Sequence, residues 1–239
     1  NGVSIIEYGN AKGLGAENLG FEGPVSDAEY LELVQPFLGK AEIGMFLNAK
    51  RYKKENVEHA AAKGLNFLRV GADAGDAEKY AEVIKTVKEA GLTCRYSLMK
   101  AYILTPEKLA EEAKKLEAMG VDEMTIMDSA GCMLPDEVKE YVKALKAVVK
   151  IPVAFHCHNN LGMSAANALA AMQSGVDVLD CGLLGMARSA GNLATEVATA
   201  LAKKYGEASE VDFYGLLDFL EKELIPAMET HGYKTAITP

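Results

Sequence analysis

Residues 154 to 163 read AFHCHNNLGM, which sets two of the chain's four histidines two positions apart. Side chains two apart in a strand share a face. A strand here turns Ala154, His156 and His158 one way and Val153, Phe155 and Cys157 the other, so that Phe155 and Cys157 pack outward. Two neutral imidazoles one strand pitch apart can chelate a divalent ion, but a catalytic centre needs a third ligand and an open position. The same spacing also suits two hydrogen-bonded structural histidines. The residues alone leave both readings open, and position in the fold must choose.

Other residues invite the same question. Lys100, in SLMKAY, sits where an imine-forming aldolase keeps its nucleophile, although a solvated loop lysine is the simpler reading because an imine duplicates what a metal does. Asp128 is read either as a carboxylate orienting metal or substrate or as a structural strand-end residue. Glu7 faces inward by its parity with Ile5, and a buried carboxylate needs a partner. His59 and His231 read as helix-surface and helix-end residues, and the ten methionines as core filler.

These residues are placed by a phrase that repeats along the chain. A helical stretch rich in Ala, Glu and Lys is followed by Gly with Val or Leu, then a short apolar run, as in AAKGLNFLRVGA, KEAGLTCRYSLM, EAMGVDEMTIMD and MQSGVDVLDCGL. The glycine caps a helix, and the run behind it is too short for a helix and suits a buried parallel strand. The period of roughly 25 to 37 residues matches one βα unit. Seven strands follow, near 4–9, 42–48, 67–72, 93–99, 123–128, 152–158 and 178–183. Among the helices between them, TPEKLAEEAKKLEAMG carries Thr105 as N-cap and Pro106 at its first position.

Strict alternation of strand and helix leaves a doubly wound sheet or a (β/α)8 TIM barrel. The loop NAKGLGAENLGFEG after the first strand is a weak phosphate-binding signal, since it opens no helix directly. Polar residues gather instead at strand C-terminal ends: Glu7, Asn10, Asn48, Asp73, Lys100, Asp128, Ser129, His156 and His158. Barrel enzymes place their sites there, and this favours the metal reading of the histidines. The count of seven strands predicts a barrel lacking its first βα unit. The barrel domain is expected over 1–209 and a C-terminal helical segment, the start of a longer extension, over 210–239.

Composition narrows the function class. A net charge of -9 with no Lys or Arg run argues against nucleic acid, and 49% hydrophobic content over 239 residues can form one large core. No apolar stretch approaches a membrane span, and no secretory signal opens the chain, so a soluble cytoplasmic protein is expected. Four cysteines without paired spacing suit a reducing compartment and buried thiols.

The segment FHCHNNLGMSAANALAAMQSGVDVLDCGLLGMARSAGN resembles the HMG-CoA lyase-like, or pyruvate carboxyltransferase-domain, superfamily, and among its members the 4-hydroxy-2-oxovalerate aldolases. IIEYGNAKGLG, FLRVGA and LMKAYILTPEKLAEEAKKLEAMGVDEMTIMDSAGCMLPDEV follow the family's order, so the likeness covers nearly the whole chain. The resemblance implies a TIM barrel, a Mn2+ or Mg2+ ion on His156 and His158 with Asn192 supporting or joining it, and a chelated 2-oxo acid bound at Ser129, with Asp128 beside it. Met127 stands where carboxyltransferases of the superfamily carry a modified lysine. The loop GLLGMARSAGN lacks the lyases' cysteine, and Arg188 and Ser189 replace the Glu-Arg pair of the Claisen-type synthases.

Retro-aldol cleavage to pyruvate and an aldehyde is the activity this comparison implies. The aldehyde would pass to a dehydrogenase partner, and the chain is expected to self-associate. The resemblance also puts the catalytic base, an Arg and a third metal ligand on a first strand with an Arg-Asp-Gly motif, and no Arg-Asp pair occurs in this sequence. This predicts an incomplete centre and leaves Glu7 without its family partner. An acyl-CoA/2-oxo acid Claisen synthase and a non-catalytic barrel fragment are the alternatives.

Overall fold

The computed structural model describes residues 1–21, 23 and 25–233. Seven strands, β1 (Ile5–Tyr8), β2 (Glu42–Asn48), β3 (Phe67–Asp73), β4 (Thr93–Met99), β5 (Glu123–Asp128), β6 (Val153–Cys157) and β7 (Val178–Asp180), pair in parallel in sequence order. Each strand is joined to the next by at least one helix. The result is an α/β half-barrel of the TIM type, curled with β1 and β7 at its two ends.

The strands form where expected, with three trimmed at their ends, β1 by one residue on each side. The β6 ladder stops at Cys157, and His158 instead makes an isolated antiparallel bridge with Asn192. The seventh strand ends at Asp180 rather than near 183, because Gly182 leaves the ladder to exchange backbone hydrogen bonds with Leu193 and Thr195. The loop ending in Asn192 is thereby tied to the ends of both strands.

The helices α1 (Asp27–Leu33), α2 (Lys54–Ala62), α3 (Ala81–Glu89), α4 (Pro106–Ala118), α5 (Pro135–Lys146), α6 (Ser164–Gln173) and α7 (Thr195–Lys204) cover the outer face. In α4, Leu109, Ala113 and Leu116 recur at helical spacing and are completely buried. Each leucine so buried contributes about 1.5–3 kcal/mol. Thr105 caps α4 with Pro106 at its first turn, as the sequence predicts. The recurring glycines that end α2, α3, α4 and α6 all adopt the left-handed conformation.

Strand parity divides the side chains. Phe155 and Cys157 are fully buried under the helices, while His156 and His158 face the interior. Cys94 is buried and Cys181 half-buried, but Cys132 is exposed, so the expectation of buried thiols fails there. Its turn lies at the open end of the sheet. After α7, the chain forms α8 (Phe213–Phe219), a π-helical turn over Leu220–Leu224, and α9 (Ile225–Thr230). Pro226 lacks the N–H that an α-helical ladder needs, and a widened turn precedes it. The segment 234–239 of the expected C-terminal extension lies outside the described residues. No helix among those described is long and apolar enough to cross a membrane.

Candidate active site

A cavity of about 790 Å³ opens at the C-terminal end of the sheet. Seven of the strand-end residues picked out in the sequence line it: Glu7, Asn10, Asn48, Asp73, Lys100, Ser129 and His158. Asp128 does not. Along β5, Met127 and then Ser129 turn inward, and the alternation sends Asp128 to the opposite face. There its carboxylate is completely buried and accepts the backbone N–H groups of Cys132 (3.1 Å) and Met133 (2.9 Å). Asp128 thus holds the turn carrying Ser129 rather than facing a ligand.

Ser129 is tied in on both sides. Its hydroxyl accepts the backbone N–H of Lys100 at 2.9 Å, and its carbonyl accepts a hydrogen bond from the Arg188 guanidinium. Lys100 adopts a left-handed backbone, and its amine pairs with Asp73 at 3.0 Å. Half-exposed and ion-paired, it matches the solvated-lysine reading. Burial raises the Asp73 pKa, but the amines of Lys100 and Lys50 outweigh that and hold it below the ordinary carboxylate value.

The interior is organised by two charged residues that the sequence reading passed over. Arg69, on β3, has its Nε 2.6 Å from Glu7 on β1, and its other nitrogens bond Glu7 and Asp180 on β7. The expectation that Glu7 lacks a partner is therefore wrong. Its guanidinium comes from β3, because the curl of the sheet brings that strand's inner face opposite both end strands. Burial opposes the Arg69 charge, but Asp180 and Glu7 more than compensate and strengthen it. A charge within an apolar strand was the available signal: Arg69 in FLRVGA and Asp180 in VDVLDCG must each be paired if buried.

Asp180 continues the network to the histidines. Its Oδ2 lies 3.0 Å from His156 Nδ1. Burial alone would raise its pKa, yet Arg69 and then His156 keep the carboxyl well below the usual range. An ionised Asp180 makes His156 Nδ1 the donor, so in the neutral ring Nε2 keeps its lone pair. The His156 and His158 rings meet edge to face with centroids 5.3 Å apart, and both residues are buried. Burial first, then His156 and Arg188, push the His158 pKa down to about 4, so its ring is neutral at physiological pH.

Among the buried polar atoms with no hydrogen-bond partner within the described residues are His158 Nδ1 and Asn192 Oδ1. Neutral imidazole and amide oxygen are acceptable donors to a hard or borderline divalent ion. His156, His158 and Asn192 therefore fit such an ion as a partial set. No group of three His, Cys, Asp or Glu side chains converges for one among the described residues.

The polar loop after β1 is satisfied internally, with the Gly15 N–H donating to Asp27 at 2.6 Å, and it offers no phosphate cradle at this point. His59 and His231 are exposed and stand apart from the cavity.

Comparison with known proteins places this arrangement. The HMGL-like family model matches residues 67–222. The chain belongs to the HMGL-like family. It is 37% identical over 229 residues to a 4-hydroxy-2-oxovalerate aldolase of Carboxydothermus hydrogenoformans, an alignment covering 95% of this chain and 68% of that protein. A second, from Geobacillus genomosp. 3, is 34% identical over 96% of this chain and 68% of its own length. The chain thus spans about two thirds of these HMGL-like relatives. In fold it is similar to the N-terminal domain of a Bacteroides vulgatus protein whose aldolase assignment is itself provisional, with a TM-score of 0.77, 23% identity and coverage of 98% and 78% of the two chains. The HMG-CoA lyase of Brucella melitensis superposes with a TM-score of 0.69 at 20% identity, over 79% and 76%.

Proposed function

We propose that this HMGL-like chain is the barrel part of a divalent-metal-dependent aldolase that cleaves a 4-hydroxy-2-oxo acid to pyruvate and an aldehyde. The observation that carries the reading is the relay from Arg69 through Asp180 to His156, which presents an oriented imidazole beside a second, neutral one at the end of the barrel. Similarity to the 4-hydroxy-2-oxovalerate aldolases supports it. In the cleavage, a base takes the 4-hydroxyl proton, the C3–C4 bond breaks, C4 becomes the aldehyde carbon, and the electron pair left on C3 forms the enolate of pyruvate, which gains a proton at C3 to become pyruvate. A Mn2+ or Mg2+ ion, when bound, supplies Lewis-acid stabilisation of the charge that develops on the 2-oxo group.

The residues of the chain orient and hold. His156, His158 and Asn192 would hold the ion, with Asp180 fixing the tautomer of His156. Ser129 would meet the oxo acid where the cavity wall is pinned by Lys100 and Arg188, and Asp128 would contribute by holding that turn. The reading retains a barrel over 1–209 followed by a helical extension, self-association, a cytoplasmic setting and delivery of the aldehyde to a dehydrogenase.

Pyruvate release from 4-hydroxy-2-oxovalerate, with Mn2+ and after chelation, is the test. Manganese-dependent turnover and a manganese-induced rise in melting temperature are expected, both lost in a His156→Ala, His158→Ala double variant. Turnover unaffected by chelation or by the double substitution would overturn the assignment.

A further inference from the structure

The cavity is cationic in a chain whose net charge is -9. Lys50, Arg51, Lys100 and Arg188 line it against the single carboxylate of Asp73, while Glu7 is spent on Arg69 deeper inside. Asp73 is shared between both lysines, at 3.4 Å from Lys50 and 3.0 Å from Lys100. Arg51 bonds the Lys12 carbonyl and lies over the Phe21 ring at 4.8 Å, Arg188 bonds the Ser129 carbonyl, and neither forms an ion pair among the described residues. One substrate carboxylate leaves most of that positive charge unmatched. The volume, about 790 Å³, also lies in the range of ligands much larger than a five-carbon acid.

We propose that this site takes a 4-hydroxy-2-oxo acid bearing a second anionic group, a carboxylate or a phosphate-type oxyanion, at the end remote from its 2-oxo carboxylate, and that Arg188 is the specificity-determining residue that receives it. A guanidinium presents a planar fork of donors matched to carboxylate and phosphate oxygens, and only part of the Arg188 fork is used by the Ser129 carbonyl. Lys50 and Lys100, with one carboxylate between them, complete the field. The exposed position of Arg188 suits contact with a long substrate's outer end, and its bond to the Ser129 carbonyl anchors it to the cavity wall. This inference rests on the aldolase reading.

Calorimetric binding of three 2-oxo acids that lack the 4-hydroxyl and cannot be cleaved tests it, on the chain with manganese and without. The probes are 2-oxopentanoate, with an uncharged tail, 2-oxoglutarate and 2-oxo-4-phosphonobutanoate. One of the two doubly anionic probes is expected to bind at least tenfold more tightly than 2-oxopentanoate, with an advantage that shrinks as salt rises; which one does so distinguishes carboxylate from phosphate. Arg188→Gln should reduce that ratio to about one or two, and Lys50→Gln, in a different loop, should lower it as well, with circular dichroism confirming that each variant is folded. Equal affinity for charged and uncharged tails, or a ratio unchanged in both variants, overturns the proposal and leaves the aldolase reading standing. Failure of every 2-oxo acid to bind counts against the aldolase reading itself.

Discussion

The guanidinium of Arg69 on β3 is ion-paired with the carboxylate of Asp180 on β7, across the interior of the curled sheet. With Glu7 it links the two end strands, which do not pair with each other through their backbones among the described strands. Removing it leaves two carboxylates facing each other in a largely buried site. Arg69→Met is therefore expected to cost about 3–5 kcal/mol, read from urea unfolding. Adding Glu7→Gln and Asp180→Asn should recover much of that loss. If the triple variant is no more stable than Arg69→Met, charge imbalance is not the cause.

Asp128 holds the turn under Ser129 through two buried, charge-assisted hydrogen bonds to backbone N–H groups. Asp128→Ala should destabilise the chain by about 2–4 kcal/mol, and Asp128→Asn, which keeps one acceptor, by about half as much. Hydrogen exchange of the Cys132 and Met133 amides separates this from a general loss of stability. Selective deprotection there is the expected result, and uniform deprotection across β5 and α5 the contrary one.

Gly131 follows in the same turn, with φ +61° and a place for a Cβ 2.6 Å from the Asn160 nitrogen and 2.7 Å from the His158 carbonyl oxygen. No side chain fits without moving the backbone of His158. Gly131→Ala should cost more than about 1 kcal/mol and weaken manganese binding several-fold. A variant as stable as the parent with the same manganese affinity would show that the turn does not position His158.

The depressed pKa of His158 sets a pH dependence for the metal-free chain. In the fold this ring stays neutral down to about pH 4, whereas in the unfolded chain it takes a proton near the ordinary histidine value of 6.5. Its contribution is complete above pH 6.5 and declines as pH falls from 6.5 towards 4, by roughly 2 kcal/mol across that window. Unfolding free energies at successive pH values check the slope, which His158→Gln should flatten. An NMR titration placing the His158 ring near 6.5 would remove the basis of this expectation.

The order of strands and helices, the caps at Thr105 and at the glycines, and the inward face of His156 and His158 were legible in the sequence. They follow from local rules: hydrophobic period, turn chemistry and the two-residue alternation of a strand. The same alternation also predicts that Asp128 points away from Ser129, although strand-end position alone had suggested otherwise. The partner of Glu7, the tie between Asp180 and His156, and the union of Lys50, Arg51, Lys100 and Arg188 around one cavity were settled by tertiary structure. Arg69 and Asp180 lie 111 positions apart in the chain. A sequence shows that each buried charge needs a partner, but only the curl of the sheet determines which opposite charge comes within reach.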